Sequence, residues 1–114
     1  MVKPTEPRVF SLDGYQRLTR RTVGNATLPI LALGVAGEAG EVADIVKKAF
    51  GHGHPLDFEH LAEELGDLLW YVAALADAAG ASLSDIANFN VEKLRRRYPD
   101  GFSTERSMNR EGET

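Results

Sequence analysis

Cysteine is absent from the 114 residues, which excludes a disulfide framework, a thiolate metal site and a cysteine nucleophile. Any metal bound here is therefore held by oxygen or imidazole. No apolar run approaches the roughly 18 to 20 residues that a membrane span requires, and the opening MVKPTEPRVF lacks the apolar core of a secretory leader. A soluble, cytoplasmic protein with no membrane partner is the expectation. A formal net charge of −4 argues against a nucleic acid duplex as partner. Strand-like alternation, internal repeats and low-complexity tracts are also missing. So is a glycine-rich Walker loop, and no Glu-x-x-His pair of the kind that di-iron four-helix proteins use occurs anywhere.

What is present suits one domain spanning residues 1–114, since 43% hydrophobic content supports one modest core. That core is expected over about 11–98, with irregular arms at 1–10 and 99–114. Helix start and stop signals divide it into four. Ser11 caps a first helix of about a dozen residues carrying Leu12, Tyr15, Leu18 and Thr22, with Gly24-Asn25 as its stop. Thr27 opens a second, with Pro29 in its first turn, that runs to Phe50 and ends at Gly51. After the loop GHGHP, Asp57 caps a third helix reaching Ala79 and stopping at Gly80. Ser82 with Asp85 imitates a capping box for a fourth, which Pro99 terminates. The fold class is all-α, a four-helix bundle-like subunit.

Between Gly34 and Asp67 four carboxylates fall in two one-turn pairs, Glu38 with Glu41 and Glu64 with Asp67. One-turn spacing puts both members of a pair on one helix face, so two packed helices can aim all four at one point. At about 100° per residue, Glu38 lies inside the apolar stripe Leu31, Val35, Val42, Ile45, Val46 and Ala49, and Glu41 on its edge. A carboxylate there needs a partner or a metal, because burying it alone is costly. On the third helix Glu64, Asp67 and Tyr71 follow one flank of the stripe Leu61, Leu65, Leu68, Val72, Leu75 and Ala76, while Glu63 points away. On the fourth, Asn90 sits within the stripe Leu83, Ile86, Ala87, Leu94 and Tyr98, with Lys93 and Arg97 on the same side. Carboxylates suit Mg²⁺ or Mn²⁺, whereas an amide, an ammonium and a guanidinium suit phosphate oxygens. Mg²⁺-dependent cleavage of a polyphosphate follows as the expected chemistry.

Several features have plainer readings. Gly34, Gly37 and Gly40, three apart on a helix, allow close approach of another backbone or of the metal site. His52 and His54 sit in a glycine-rich loop and read as solvated. Trp70 lies opposite the third helix's core stripe; with Leu69, Ala73 and Ala74 it forms a second face, either against another subunit or as a base-stacking platform. Positive charge gathers at Arg17, Arg20 and Arg21 and again at Lys93, Arg95, Arg96 and Arg97, clusters that in an acidic protein suit a small anionic ligand.

The segments LALGVAGEAGEVADIVKKAF, EELGDLLWYVAALADAAG and NVEKLRRRYPDGF resemble the all-α nucleoside triphosphate pyrophosphohydrolase superfamily, specifically its MazG-like branch. Its E-x-x-E, spacer, E-x-x-D pattern is met by Glu38, Glu41, Glu64 and Asp67 with 22 residues between the pairs, and the likeness runs roughly from Leu28 to Phe102. The resemblance implies hydrolysis of an NTP or dNTP between the α and β phosphates, Mg²⁺ held by those four acids, and dimers or tetramers whose active sites draw on more than one chain. It further implies that one of the four, or Glu63, is the base for the attacking water. Asn90, Lys93 and Arg97 would lie near the triphosphate, Tyr71 at the sugar or base pocket, and Lys48 would be a further phosphate contact. House-cleaning of the nucleotide pool is the expected role. Alternatives are a pyrophosphatase selective for dUTP, dCTP or phosphoribosyl-ATP, and a non-catalytic helical oligomer whose metal is structural.

Overall fold

In the computed structural model, residues 8–102 and 108 are described, and they form the four α-helices the punctuation predicts. Most of the two expected arms lies outside the described residues. Helix α1 (Leu12–Thr19) begins where the Ser11 hydroxyl accepts from the Gly14 N–H at 2.9 Å. It stops short of the dozen residues expected. The Thr19 and Thr22 hydroxyls donate to the carbonyls of Gln16 and Thr19, and the Arg21 and Thr22 N–H groups turn to carbonyls three residues back. This side-chain competition and tightening end the helix before Gly24 is reached.

Helix α2 (Leu28–Gly51) starts after Thr27, whose side chain makes no capping bond; Pro29 in the first turn sets the entry instead. Helix α3 (Phe58–Ala78) is capped by Asp57, which accepts from the His60 N–H at 3.0 Å, and is followed by Gly80 at φ +82°. Helix α4 (Leu83–Arg97) is capped by Ser82, which accepts from the Asp85 N–H at 3.0 Å, and ends ahead of Pro99.

Helices α2 and α3 form the principal pair, while α1 lies against both α3 and α4. A Cβ added at Gly34 would fall within the Tyr71 ring, so glycine there permits the close passage of α2 over α3. Gly37 and Gly40 face open space, so of the three spaced glycines only Gly34 carries that contact.

The small interior centres on Ala73, Ala76 and Leu83, with Tyr15 and Val72 packed against them. This corrects one expectation. Ala73 and Ala74 are buried inside the chain rather than turned to another subunit, because α3 packs against both α1 and α2. Gln16 fixes α1 there: its side-chain amide donates to the carbonyls of Ala73 (3.3 Å) and Ala81 (3.0 Å) and accepts from the Leu83 N–H (3.0 Å). Asp13 accepts from the Ser84 N–H at 3.1 Å, and Arg20 is bidentate to Asp77.

Much of the predicted apolar striping is left uncovered. Leu33 is 71% exposed, Phe50 80% and Phe89 69%, and Leu65, Leu69, Ile86 and Leu94 are exposed as well. Among the described residues no helix is long and apolar enough to cross a membrane.

Candidate metal centre

Glu38 projects from α2, and Glu64 and Asp67 project one turn apart from α3. Each offers a carboxylate oxygen, and the three oxygens lie within 4.8 Å of one another. Glu38 Oε2 is buried and has no hydrogen-bond partner. The Glu38 carboxyl is held above the ordinary glutamate range, first by the proton it can share with Glu64, then by burial, then by the negative charges of Glu64, Asp67 and Glu41. Like charges converging on an unsatisfied buried oxygen are what an oxygen-bound divalent cation would relieve. The donor set therefore fits a hard cation.

Beside these acids opens a cavity of about 300 Å³ lined by Thr22, Glu38, Asp67, Trp70 and Tyr71. The Trp70 indole N–H donates to the Thr22 hydroxyl at 2.7 Å, and the Trp70 ring meets Tyr71 edge to face at 4.9 Å between centroids. Trp70 is thus half-buried within its own chain, and the cavity has two aromatic walls and an acidic end.

Sequence periodicity missed three neighbours. Thr22 reaches this cavity because the turn after α1 bends it toward Trp70. Tyr15 faces Asp67 closely enough that its hydroxyl pKa is raised, by burial first and by the Asp67 charge second. His60, one turn before Glu64, places Nε2 3.5 Å from Glu64 Oε1. The first two depend on which helix faces which, whereas the His60 spacing, four residues before Glu64 on α3, was visible in the chain.

The other expected site residues lie elsewhere. Glu41 is outside the three-carboxylate set; it lines a separate cavity of about 250 Å³ with Asp44, Lys48, His54 and His60. Lys48 pairs with Asp44 at 2.9 Å within α2, and this contact raises its pKa. Asn90 and Lys93 line a groove of about 390 Å³ with Leu12, Leu69, Ile86 and Phe89, apart from the carboxylates. Arg97 is half-buried at the end of α4, and Glu63 is exposed. His52 and His54 are exposed, as the loop composition suggested.

A family model, the MazG nucleotide pyrophosphohydrolase domain, matches residues 27–102. The chain belongs to this family. The match takes in α2, α3 and α4 with all three converging carboxylates, and leaves α1 outside. Among similar proteins, Gene 37 protein of Mycobacterium phage L5 is 37% identical over 78 residues, 65% of this chain and 68% of that protein. Uncharacterized protein YvdC of Bacillus subtilis (strain 168) is 37% identical over 70 residues, 54% of this chain and 66% of its own length. No solved structure matches the chain.

Proposed function

We propose that this single MazG domain is a divalent-metal-dependent nucleoside triphosphate pyrophosphohydrolase, cleaving an NTP or dNTP between the α and β phosphates to the monophosphate and pyrophosphate. The observation that carries the reading is the convergence of Glu38, Glu64 and Asp67 around an orphaned buried oxygen, at the end of a cavity walled by Trp70 and Tyr71. Those three carboxylates would hold Mg²⁺, or Mn²⁺ in its place, with Glu41, one turn after Glu38 on α2, as the fourth acid of the expected set. Bound there, the ion lowers the pKa of an attacking water and offsets charge developing on the phosphates. The chain's own residues do the rest. A carboxylate oxygen not engaged by the ion, or Glu63, accepts the water's proton, and Tyr71 with Trp70 borders the sugar and base. House-cleaning of surplus or non-standard nucleotides suits such an enzyme. Selectivity for dUTP, dCTP or phosphoribosyl-ATP would appear as one dominant rate in a panel scored for pyrophosphate release.

The active form is a homodimer or homotetramer. Asn90, Lys93, Arg97 and Lys48 then meet the triphosphate, with α4 of one copy brought to the carboxylates of another. Supporting this, the Asn90 and Lys93 groove lies apart from the acids within one chain, and it adjoins the exposed Leu69, Ile86 and Phe89. Replacing Glu38 or Asp67 by alanine tests the chemistry: undiminished Mg²⁺-dependent hydrolysis of every nucleotide tried would reject it. Sedimentation that finds only a 12.5 kDa species would reject the assembly.

A further inference from the structure

The arginines at the start of the chain divide into two kinds. Arg20 is spent on Asp77, with Nη2 to Oδ1 at 2.7 Å and Nε to Oδ1 at 2.9 Å. Arg17 and Arg21, one turn apart on α1 and the turn after it, make no ion pair or hydrogen bond through their side chains among the described residues, and neither does Arg8. All three line one cavity of about 460 Å³, together with Val9, Phe10 and Leu18. Its floor includes Gly14, where an added Cβ would come within 3.6 Å of Arg17 Nη2, so that guanidinium lies back over the bare helix surface. Three guanidiniums around one hollow repel one another unless an anion joins them, and their forked donors match phosphate oxygens. Phe10, 88% exposed on the same wall, offers an uncovered aromatic face beside those cations.

We propose that this cavity is a binding site for a nucleoside monophosphate, with the phosphate on Arg8, Arg17 and Arg21 and the base against Phe10. A small ligand fits better than a duplex, because the chain carries a net charge of −4 and this hollow gathers only three of its cations, Arg8, Arg17 and Arg21. The cavity shares no lining residue with the one beside Glu38, and it lies on the side of α1 away from Gln16 and Thr19. Its three cations balance a phosphate dianion without a metal, so binding does not depend on the carboxylate centre.

Titration calorimetry on the full chain in the presence of a chelator tests this, using AMP, adenosine and inorganic phosphate as probes. Saturable binding of AMP is expected, with adenosine and inorganic phosphate each weaker. Arg17→Gln with Arg21→Gln weakens AMP by about tenfold or more. Phe10→Ala weakens AMP and leaves phosphate unchanged, while Glu38→Gln leaves AMP binding intact. Both arginines are exposed, and unchanged helical circular dichroism verifies that the variant is folded. No AMP binding at millimolar concentration, equal affinity for AMP and phosphate, or binding indifferent to the double substitution would overturn the proposal. So would a double variant that loses its assembly state while still binding AMP, since the arginines would then serve a subunit contact.

Discussion

Two polar groups of this small protein, the Gln16 amide and one carboxylate oxygen of Glu38, are buried in opposite ways. At the α1, α3 and α4 junction, Gln16 uses both atoms of its amide, in three hydrogen bonds to Ala73, Ala81 and Leu83. At the α2 and α3 edge, Glu38 presents a buried oxygen with no partner, facing two further carboxylates. A satisfied buried amide costs little and fixes how helices sit; an unsatisfied acid among acids raises the energy of the empty protein. The first is therefore structural, and the second is what the proposed metal-binding role would relieve. Substitutions at each should separate activity from stability.

The largest effect is expected at the acids. Glu38→Ala or Asp67→Ala should lower Mg²⁺-dependent nucleotide hydrolysis by about a hundredfold or more, measured as pyrophosphate release, with the fold retained. Glu38→Gln in chelator should leave the protein no less stable than wild type, because it removes a repelled charge while keeping the shape. A large drop in melting temperature would make Glu38 a structural group like Gln16 and erase the contrast.

Gln16→Ala should act the other way round. It strands the buried Leu83 N–H and opens a void, at a cost of about 2 to 4 kcal/mol in urea unfolding. Per folded molecule, activity should change far less than for Glu38→Ala. Gly34→Ala should follow at about 1 to 3 kcal/mol, since the new methyl displaces Tyr71 and pushes α2 from α3. Because Tyr71 also walls the cavity beside Glu38, this variant should raise KM as well, and an unchanged KM would separate Tyr71 from substrate.

How much of this the chain disclosed depends on distance along it. Caps are local, so Ser11, Asp57 and Ser82 were legible as helix starts, and each accepts the N–H three residues on. Glu38 was legible because a carboxylate inside an apolar stripe contradicts its surroundings whatever the partner helix is. Gln16 was not, since its bonds go to residues more than fifty positions away and a lone glutamine on a short helix looks like any solvated one. The same lack of long-range information hid the burial of Ala73 and Ala74 within the chain, and the seat of Asn90 and Lys93 in an apolar groove. Periodicity reports the face of a helix and says nothing of which neighbour meets it.

The smallest expected effect is also the finest test of the contrast, because two carboxylates should respond to pH with opposite sign. Asp77 is held below its ordinary value of 3.8, first by hydrogen bonding to Arg20, so its contribution to stability is present above 3.8 and lost as pH falls through the lowered folded value. Glu38 is held above its ordinary value of 4.5, so in the metal-free protein the folded state binds its proton more tightly than the unfolded chain does. Stability from Glu38 is therefore greatest below 4.5 and declines as pH rises through the raised value. Arg20→Gln should flatten the acid limb of melting temperature against pH and leave the higher limb alone. Glu38→Gln in chelator should do the reverse. If each substitution altered both limbs, the junction and the acid edge would be one coupled unit rather than two independent ways of burying polarity.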